Sequence, residues 1–129
     1  TEELGLQEGI KFHGRKLKEE VAAFMRSSDF LVLPSLYETF GAVIIEALAS
    51  GKPVVASDIG GIKDIITEDL GILTPPGDMH RLSQAIESML DNHANYSPEE
   101  LSEYAKAKYG YEPVGQSLNA IYRKVKERM

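Results

Sequence analysis

Cysteine is absent from this sequence and histidine is scarce, which limits the chemistry that the side chains can perform. Without cysteine the chain has neither a disulfide framework nor a thiolate site. His13, His80 and His93 are too scattered in the sequence to suggest a metal-ligand cluster. We therefore expect no metal site, and the lack of cysteine favours a cytoplasmic protein.

A basic surplus and long apolar runs are also missing. The 129 residues carry a formal charge of -6 at pH 7, which argues against nucleic-acid binding because neutralising phosphates requires excess lysine and arginine. The apolar runs are shorter than the roughly 20 residues that span a bilayer. The start, "TEELGLQEG", lacks the charged-then-apolar order of a signal peptide and has no initiator methionine. We expect that an upstream part of the protein precedes it.

The composition that is present suits one globular domain, with 43% hydrophobic and 26% charged residues. Short apolar runs bounded by Gly, Pro or Ser alternate with helical patterns, which is typical of βαβ units and a parallel sheet. The predicted strands are residues 10–13, 30–33, 53–56 and 71–73. The second and third are continuous apolar runs, which predicts helices on both faces and hence a three-layer α/β sandwich.

Helix start and stop signals divide the rest of the chain. Gly51 suits a left-handed C-terminal cap and Pro53 cannot continue a helix, whereas Ser97 and Pro98 form a strong helix start. Gly60 and Gly61 are interpreted as a turn that opens a short helix. The predicted helices cover residues 18–29, 41–50, 60–67, 79–91, 97–109 and a final segment after Pro113.

The final segment combines an apolar stripe with basic residues. The pattern is typical of a helix that docks on the rest of the protein with its cations near the negative end of the helix dipole. Peripheral contact with a membrane surface is the alternative. The apolar stripe consists of Val114, Leu118, Ile121, Tyr122 and Val125, and the cations are Arg123, Lys124, Lys126 and Arg128.

Two glutamates in "PSLYETFGAVIIEALASGKPVV" are the main candidates for binding residues. Glu38 lies in a loop after a predicted strand, where parallel sheets bind their ligands. A helix that begins near Gly41 points unpaired N–H groups at the same crevice and can take a phosphate. Glu46 projects from that helix about 7 to 8 Å further along. The two carboxylates can accept hydrogen bonds from hydroxyls on either side of a bound phosphate.

Burial makes Glu46 informative, because a carboxylate among small apolar neighbours costs several kcal/mol unless it is hydrogen-bonded. We therefore expect a polar partner for Glu46. Each glutamate taken alone leaves a simpler alternative: Glu46 on the solvent side of its helix, and Glu38 as a surface charge.

Residues 38–61, "ETFGAVIIEALASGKPVVASDIGG", resemble the E-x7-E signature of the retaining, glycogen-synthase-like glycosyltransferases, also called group 1 or family 4. "IKFHG" before this segment and "GILTPPGD" after it also match the family pattern. The resemblance implies a GT-B fold, in which two Rossmann-like domains face a cleft. It identifies residues 1–129 as part of the C-terminal, nucleotide-sugar-binding domain: a parallel Rossmann-like sheet flanked by helices, without the upstream strands and the N-terminal acceptor domain.

The resemblance also implies roles for particular residues. Glu38 is the catalytic candidate and binds hydroxyls of the donor sugar, and Glu46 binds the ribose hydroxyls of the nucleotide. The loop of residues 14–16 holds the base, with an exposed polar turn as the alternative. The resemblance implies no metal or other cofactor. The implied donor-binding residues are Glu38, Thr39, Phe40, Gly41, Ala42, Glu46, Gly14 and Arg15.

The implied function is donor binding in a retaining hexosyltransferase whose acceptor is a sugar, a lipid or another hydroxyl compound. Two parts of such an enzyme are expected upstream: a Gly-Arg and a following Lys that neutralise the diphosphate, and the N-terminal domain, which is a partner of this part. The isolated chain is therefore expected to be inactive. The alternatives are a non-catalytic α/β nucleotide-binding or interaction module, and a sugar-nucleotide epimerase of the same architecture.

The count of strands leads to a further expectation about association. Four predicted strands stand where a Rossmann half-domain has about six, so one sheet edge is left open. We expect self-association through residues 10–13 or through the apolar stripe of the final helix, or else marginal stability as a monomer.

Overall fold

A three-stranded parallel sheet forms the centre of the structure, a computed structural model that describes residues 2–128. The strands are β1 (Leu31–Leu33), β2 (Val54–Ser57) and β3 (Gly71–Thr74), and they lie side by side in chain order. In the register, Val54 of β2 is aligned with Leu31 of β1 and with Gly71 of β3. Three of the predicted strands are confirmed, with ends that differ by one residue.

Side-chain caps begin two of the helices, and the cap at Ser97 was predicted. Asp78 caps one helix by accepting a hydrogen bond from the Arg81 amide at 2.9 Å, and Ser97 caps another through the Glu100 amide at 3.3 Å. All six predicted helices are confirmed, but the final one begins at Tyr111 rather than after Pro113, because proline is tolerated in the first turn of a helix. They are α1 (Lys18–Ser27), α2 (Ala42–Ala49), α3 (Ile62–Ile65), α4 (Met79–Asn92), α5 (Pro98–Tyr109) and α6 (Tyr111–Glu127), with short 3-10 turns at Glu2–Leu4 and His93–Asn95.

Helices cover both faces of the sheet, as predicted from its continuous apolar strands. Strand β2 lies between the other two and all four of its residues are buried, whereas β1 at the edge is half-buried. Helix α4 packs on one face, where Ala85 and Met89 join Val55 in a cluster. On the other face α2 and α5 form the larger cluster, which includes Ile44, Ala47, Leu48, Leu101 and Ala105 with Val54 and Ala56.

The prediction of a strand at residues 10–13 is wrong. A parallel strand needs a ladder of hydrogen bonds to a neighbour, and no described residue supplies one here. The Ile10 amide instead donates to the Leu6 carbonyl at 3.1 Å in a turn, and Phe12 is 80% exposed. The only described sheet therefore has three strands, with β1 at one edge.

The final helix α6 packs against α5, as expected of a docking helix. Its apolar stripe is nevertheless open to solvent: Val114, Leu118 and Ile121 are 43%, 49% and 57% exposed. Self-association and membrane contact through this stripe stay predictions. Within residues 2–128, none of the helices combines the length and the apolar character needed to cross a membrane.

Gly71 provides a test of the pairing between β2 and β3. A Cβ at this position would collide with the backbone of Val54, including its carbonyl oxygen, so β3 can approach β2 only with glycine here. We expect Gly71→Ala to lower the free energy of unfolding by about 3 kcal/mol or more, measured by urea denaturation followed by circular dichroism.

Gly115 in α6 offers a matched control, because a Cβ there meets nothing within 4 Å. Gly115→Ala should raise the free energy of unfolding by about 0.5 to 1 kcal/mol, since alanine is the better helix former. Similar stability changes in the two variants would contradict the register of β2 and β3.

Candidate functional site

The loop that follows β1, residues 34–41, brings Glu38 to the carboxyl end of the sheet; we call it the Glu38 loop. The half-buried carboxylate turns back on this loop, and its Oε1 accepts hydrogen bonds from the Thr39 amide at 3.0 Å and the Phe40 amide at 3.4 Å. Its Oε2 has no hydrogen-bond partner among the described residues. One oxygen thus holds the side chain in place, while the other can accept a hydrogen bond from a ligand.

Helix α2 begins directly after this loop without a side-chain cap. The N-cap is Gly41 in a left-handed conformation, with φ 77° and ψ 45°. The Ile44 amide bonds to the Gly41 carbonyl at 2.9 Å, but the Ala42 and Val43 amides have no backbone partner among the described residues. These unpaired N–H groups at the positive end of the helix dipole can bind an anion or another hydrogen-bond acceptor.

Glu46 lies one turn further along α2 and lines a groove between α1 and α2, which has a volume of about 350 Å³. Lys16 and Lys18 line the same groove, so both charge signs meet there; we call it the α1–α2 groove. Glu38 is not part of this lining.

The prediction made for the environment of Glu46 is wrong. We predicted a carboxylate held among apolar neighbours by a polar partner, but Glu46 is exposed and no side chain or amide of the described residues hydrogen-bonds to its carboxylate. The reason is its angle on the helix: the buried face of α2 consists of Ile44, Ala47 and Leu48, and Glu46 points away from that face.

The loop of residues 14–16 lies beside the same groove. Gly14 and Lys16 line an adjoining, more apolar cavity of about 340 Å³, together with Val43 and Ala47 of α2. Lys16 is shared by the two cavities, and its Nζ lies 3.3 Å from Glu20 in an exposed ion pair. Arg15 is exposed and lines neither cavity.

The predicted site residues therefore fall into two groups. One group is the Glu38 loop with the start of α2, and the other surrounds the α1–α2 groove. Whether both groups open onto one shared crevice stays a prediction. The first group consists of Glu38, Thr39, Phe40, Gly41 and Ala42, and the second of Glu46 and Gly14, with Arg15 outside both.

The turn at Gly60 and Gly61 packs closely against the backbone of the Glu38 loop. A Cβ on Gly60, which has φ +46°, would lie 2.7 Å from the Glu38 carbonyl oxygen, and one on Gly61 would lie 3.2 Å from the Thr39 carbonyl oxygen. The predicted turn before a helix is confirmed, but its packing on the loop was not predicted. The glycine pair itself was the available signal, because adjacent glycines permit close backbone approach.

Helix α5 supports the same loop through aromatic rings. The Phe40 ring meets the Tyr109 ring edge-on at 6.2 Å between centroids, and Tyr109 meets Tyr104 at 6.3 Å. Burial raises the pKa of Tyr109, with the neighbouring Tyr104 as a further cause. No local sequence pattern indicates this contact, because it joins residues that are far apart in the chain.

Across residues 2–128, no group of three or more His, Cys, Asp or Glu side chains is placed to hold a metal ion. The polar groups that face the two parts of the site are the two carboxylates, the free amides of α2 and the lysines of the α1–α2 groove.

Comparison with known proteins adds an independent line of evidence. Residues 1–108 match the family model described as glycosyl transferases group 1. The D-inositol 3-phosphate glycosyltransferase of Corynebacterium urealyticum is 31% identical over 125 residues, which cover 95% of this chain and 30% of that protein.

Solved structures agree with this similarity. Sucrose-phosphate synthase from Thermosynechococcus elongatus superimposes with a TM-score of 0.88 at 32% identity, over 99% of this chain and 33% of that one. HepE from Anabaena, solved in complex with UDP, gives a TM-score of 0.86 at 26% identity, over 95% of this chain and 34% of that one. The chain thus spans about a third of the length of its relatives, and the predicted GT-B fold class is confirmed.

Gly60 provides a test of how the Glu38 loop is supported. Gly60→Ala should lower the free energy of unfolding by about 1 to 2 kcal/mol for the left-handed conformation, and by about 1 to 3 kcal/mol more for the clash with the Glu38 carbonyl. Amide resonances of residues 38–41 should also shift in a ¹⁵N–¹H correlation spectrum.

Gly77→Ala is the control, because Gly77 has φ +77° but a Cβ there lies 3.6 Å from the nearest atom, in the Leu36 side chain. It should show only the conformational cost of about 1 to 2 kcal/mol. Equal stability losses and unshifted loop resonances in both variants would contradict the packing of Gly60 on this loop.

Proposed function

This chain belongs to the group 1 glycosyltransferase family, and on that premise we propose that it binds the nucleotide-diphosphate sugar donor of a retaining hexosyltransferase. Since the chain spans about a third of its relatives, we propose that it works as part of a longer enzyme whose other domain binds the acceptor. The complexes of HepE with UDP and with UDP-glucose support a uridine diphosphate hexose as the donor.

The observation that carries this proposal is the free Oε2 of Glu38 beside the uncapped start of α2. A carboxylate oxygen accepts strong hydrogen bonds from hydroxyl groups, and the N–H groups of a helix N-terminus donate hydrogen bonds to phosphate oxygens. A sugar diphosphate presents hydroxyls and phosphates next to each other. We assign the hexose to Glu38 and the diphosphate to the amides of Ala42 and Val43.

The nucleoside is assigned to the α1–α2 groove. Helix α2 rises about 6 Å between Ala42 and Glu46, so a single nucleotide-diphosphate sugar can extend from the start of α2 to the groove. The exposed Glu46 carboxylate then accepts hydrogen bonds from the ribose hydroxyls, and the base lies near the Gly14 loop.

The same geometry favours departure of the diphosphate. Negative charge grows on the leaving phosphate as its bond to the anomeric carbon breaks, and the positive end of the α2 dipole stabilises that charge. Glu38, fixed through its Oε1, orients the hexose for this step. We propose that the remainder of the enzyme supplies the acceptor hydroxyl and further cations for the diphosphate.

Glu46 tests the assignment of the nucleoside. In a calorimetric titration of the full-length enzyme that contains this chain with UDP, Glu46→Ala should weaken binding by about 1 to 3 kcal/mol, because hydrogen bonds to a charged acceptor are lost. Glu87→Ala, which removes an exposed carboxylate from α4 on the opposite face of the sheet, is the matched control and should bind UDP like the wild type. An unchanged UDP affinity in Glu46→Ala would contradict the ribose role.

Glu38 tests the assignment of the hexose. In the full-length enzyme that contains this chain, Glu38→Ala should lower kcat about 100-fold, the effect of losing a group that acts in the transition state, while the affinity for UDP changes little. Glu87→Ala again serves as the control. Binding of UDP-glucose by the full-length protein without any hexosyl transfer would instead support a non-catalytic nucleotide-binding module.

A further inference from the structure

Three side chains at the end of α5 form a compact group against the Glu38 loop: Tyr104, Lys108 and Tyr109, which we call the α5 aromatic cluster. The Tyr109 ring meets Phe40 of the loop at 6.2 Å with an interplanar angle of 76°, an edge-to-face arrangement. It meets Tyr104 at 6.3 Å and 66°. Such pairs are favourable because the positive edge of one ring faces the negative face of the other.

Hydrogen bonds and a cation anchor this cluster to the rest of the protein. The Tyr104 hydroxyl donates to the Ile65 carbonyl at 3.0 Å, at the end of α3. Lys108 Nζ donates to the Tyr104 hydroxyl at 3.2 Å and lies 5.4 and 5.5 Å from the centroids of the Tyr104 and Tyr109 rings. A cation within about 6 Å of a ring centroid is attracted to the ring. Two contacts therefore hold the Tyr109 ring in its orientation: the ring of Tyr104 and the cation of Lys108.

Phe40 needs this support, because burial alone does not hold it. Its side chain is 52% exposed, although it lies between the Glu38 hydrogen bonds and the start of α2. A rotation of the Phe40 peptide would move one of the two amides that hold Glu38 Oε1, and it would also change the entry into the left-handed Gly41. The contact with Tyr109 therefore restrains both the carboxylate and the first free amides of α2.

We propose that Tyr109 is a positioning residue for the sugar diphosphate half of the donor. Its ring fixes Phe40, which in turn sets the geometry of Glu38 and of the α2 N-terminus, while Tyr109 itself need not touch the ligand. The identity of the ligand in this inference rests on the proposed function. The restraint of the loop by Tyr109 does not depend on that function. The hydrogen bond to Tyr104 raises the pKa of Lys108, which agrees with the contact between this cation and the cluster.

The experiment compares three variants in the full-length enzyme that contains this chain, by ¹⁵N–¹H spectra and by titration with UDP-glucose and with uridine. Tyr109→Leu removes the ring, and Tyr109→Phe keeps the ring and removes only the hydroxyl. Tyr111→Leu is the matched control, because Tyr111 lies two residues away and is fully exposed at 102%.

We expect Tyr109→Leu to weaken UDP-glucose binding about threefold to tenfold, the loss of one aromatic pair, and to leave uridine binding unchanged. Its amide resonances at residues 38–42 should shift. Tyr109→Phe should restore the wild-type affinity and spectrum, and Tyr111→Leu should match the wild type. If Tyr109→Leu does not fold, Lys108→Met should show the same selective loss at about twofold to fivefold, because only the cation that holds the ring is removed.

The outcomes separate the two proposals. Equal losses for uridine and UDP-glucose would indicate a general structural defect and overturn the positioning role, as would unshifted loop resonances with unchanged affinities. Failure of the folded full-length enzyme to bind either ligand would overturn the proposed function instead. In that case shifted loop resonances in Tyr109→Leu, with none in Tyr111→Leu, would still support the restraint on Phe40.

Discussion

Burial of one face of α2 is the constraint on which the arrangement of the site depends. Ile44, Ala47 and Leu48 are completely buried against the sheet and α5, and each fully buried Ile or Leu contributes about 1.5 to 3 kcal/mol. That face fixes the rotation of the helix about its axis. Glu46 consequently points to the α1–α2 groove, and the free N-terminal amides of the helix point to the carboxyl end of the sheet.

The two ends of α2 are fixed by glycines for different reasons. Gly41 has the left-handed conformation that starts the helix, and Gly51 has φ 74° at its end, where a Cβ would lie only 2.9 Å from Pro98 at the start of α5. The first residue of α5, Pro98, thus packs against Gly51 at the end of α2. The last residue of α5, Tyr109, packs against Phe40 of the Glu38 loop. The same helix that completes the core also supports the loop.

The sequence was sufficient for features that depend on neighbouring residues, and insufficient for those that depend on distant ones. The strand at β2 and the cap at Ser97 follow from local patterns and are confirmed. The strand at residues 10–13 is wrong because pairing depends on a neighbouring strand that the described residues do not provide. The predicted burial of Glu46 was wrong. The hydrophobic periodicity indicated an apolar helix, but it did not show which side of that helix meets the sheet.

The central claim is that one nucleotide-diphosphate sugar extends from the Glu38 loop to the α1–α2 groove. The most direct measurement is a crystal structure of the full-length protein with UDP-glucose. We predict a phosphate oxygen within about 3 Å of the Ala42 or Val43 amide, a glucose hydroxyl on Glu38 Oε2 and the ribose on Glu46. A nucleotide bound elsewhere, or bound here with neither carboxylate in contact with it, would contradict the account.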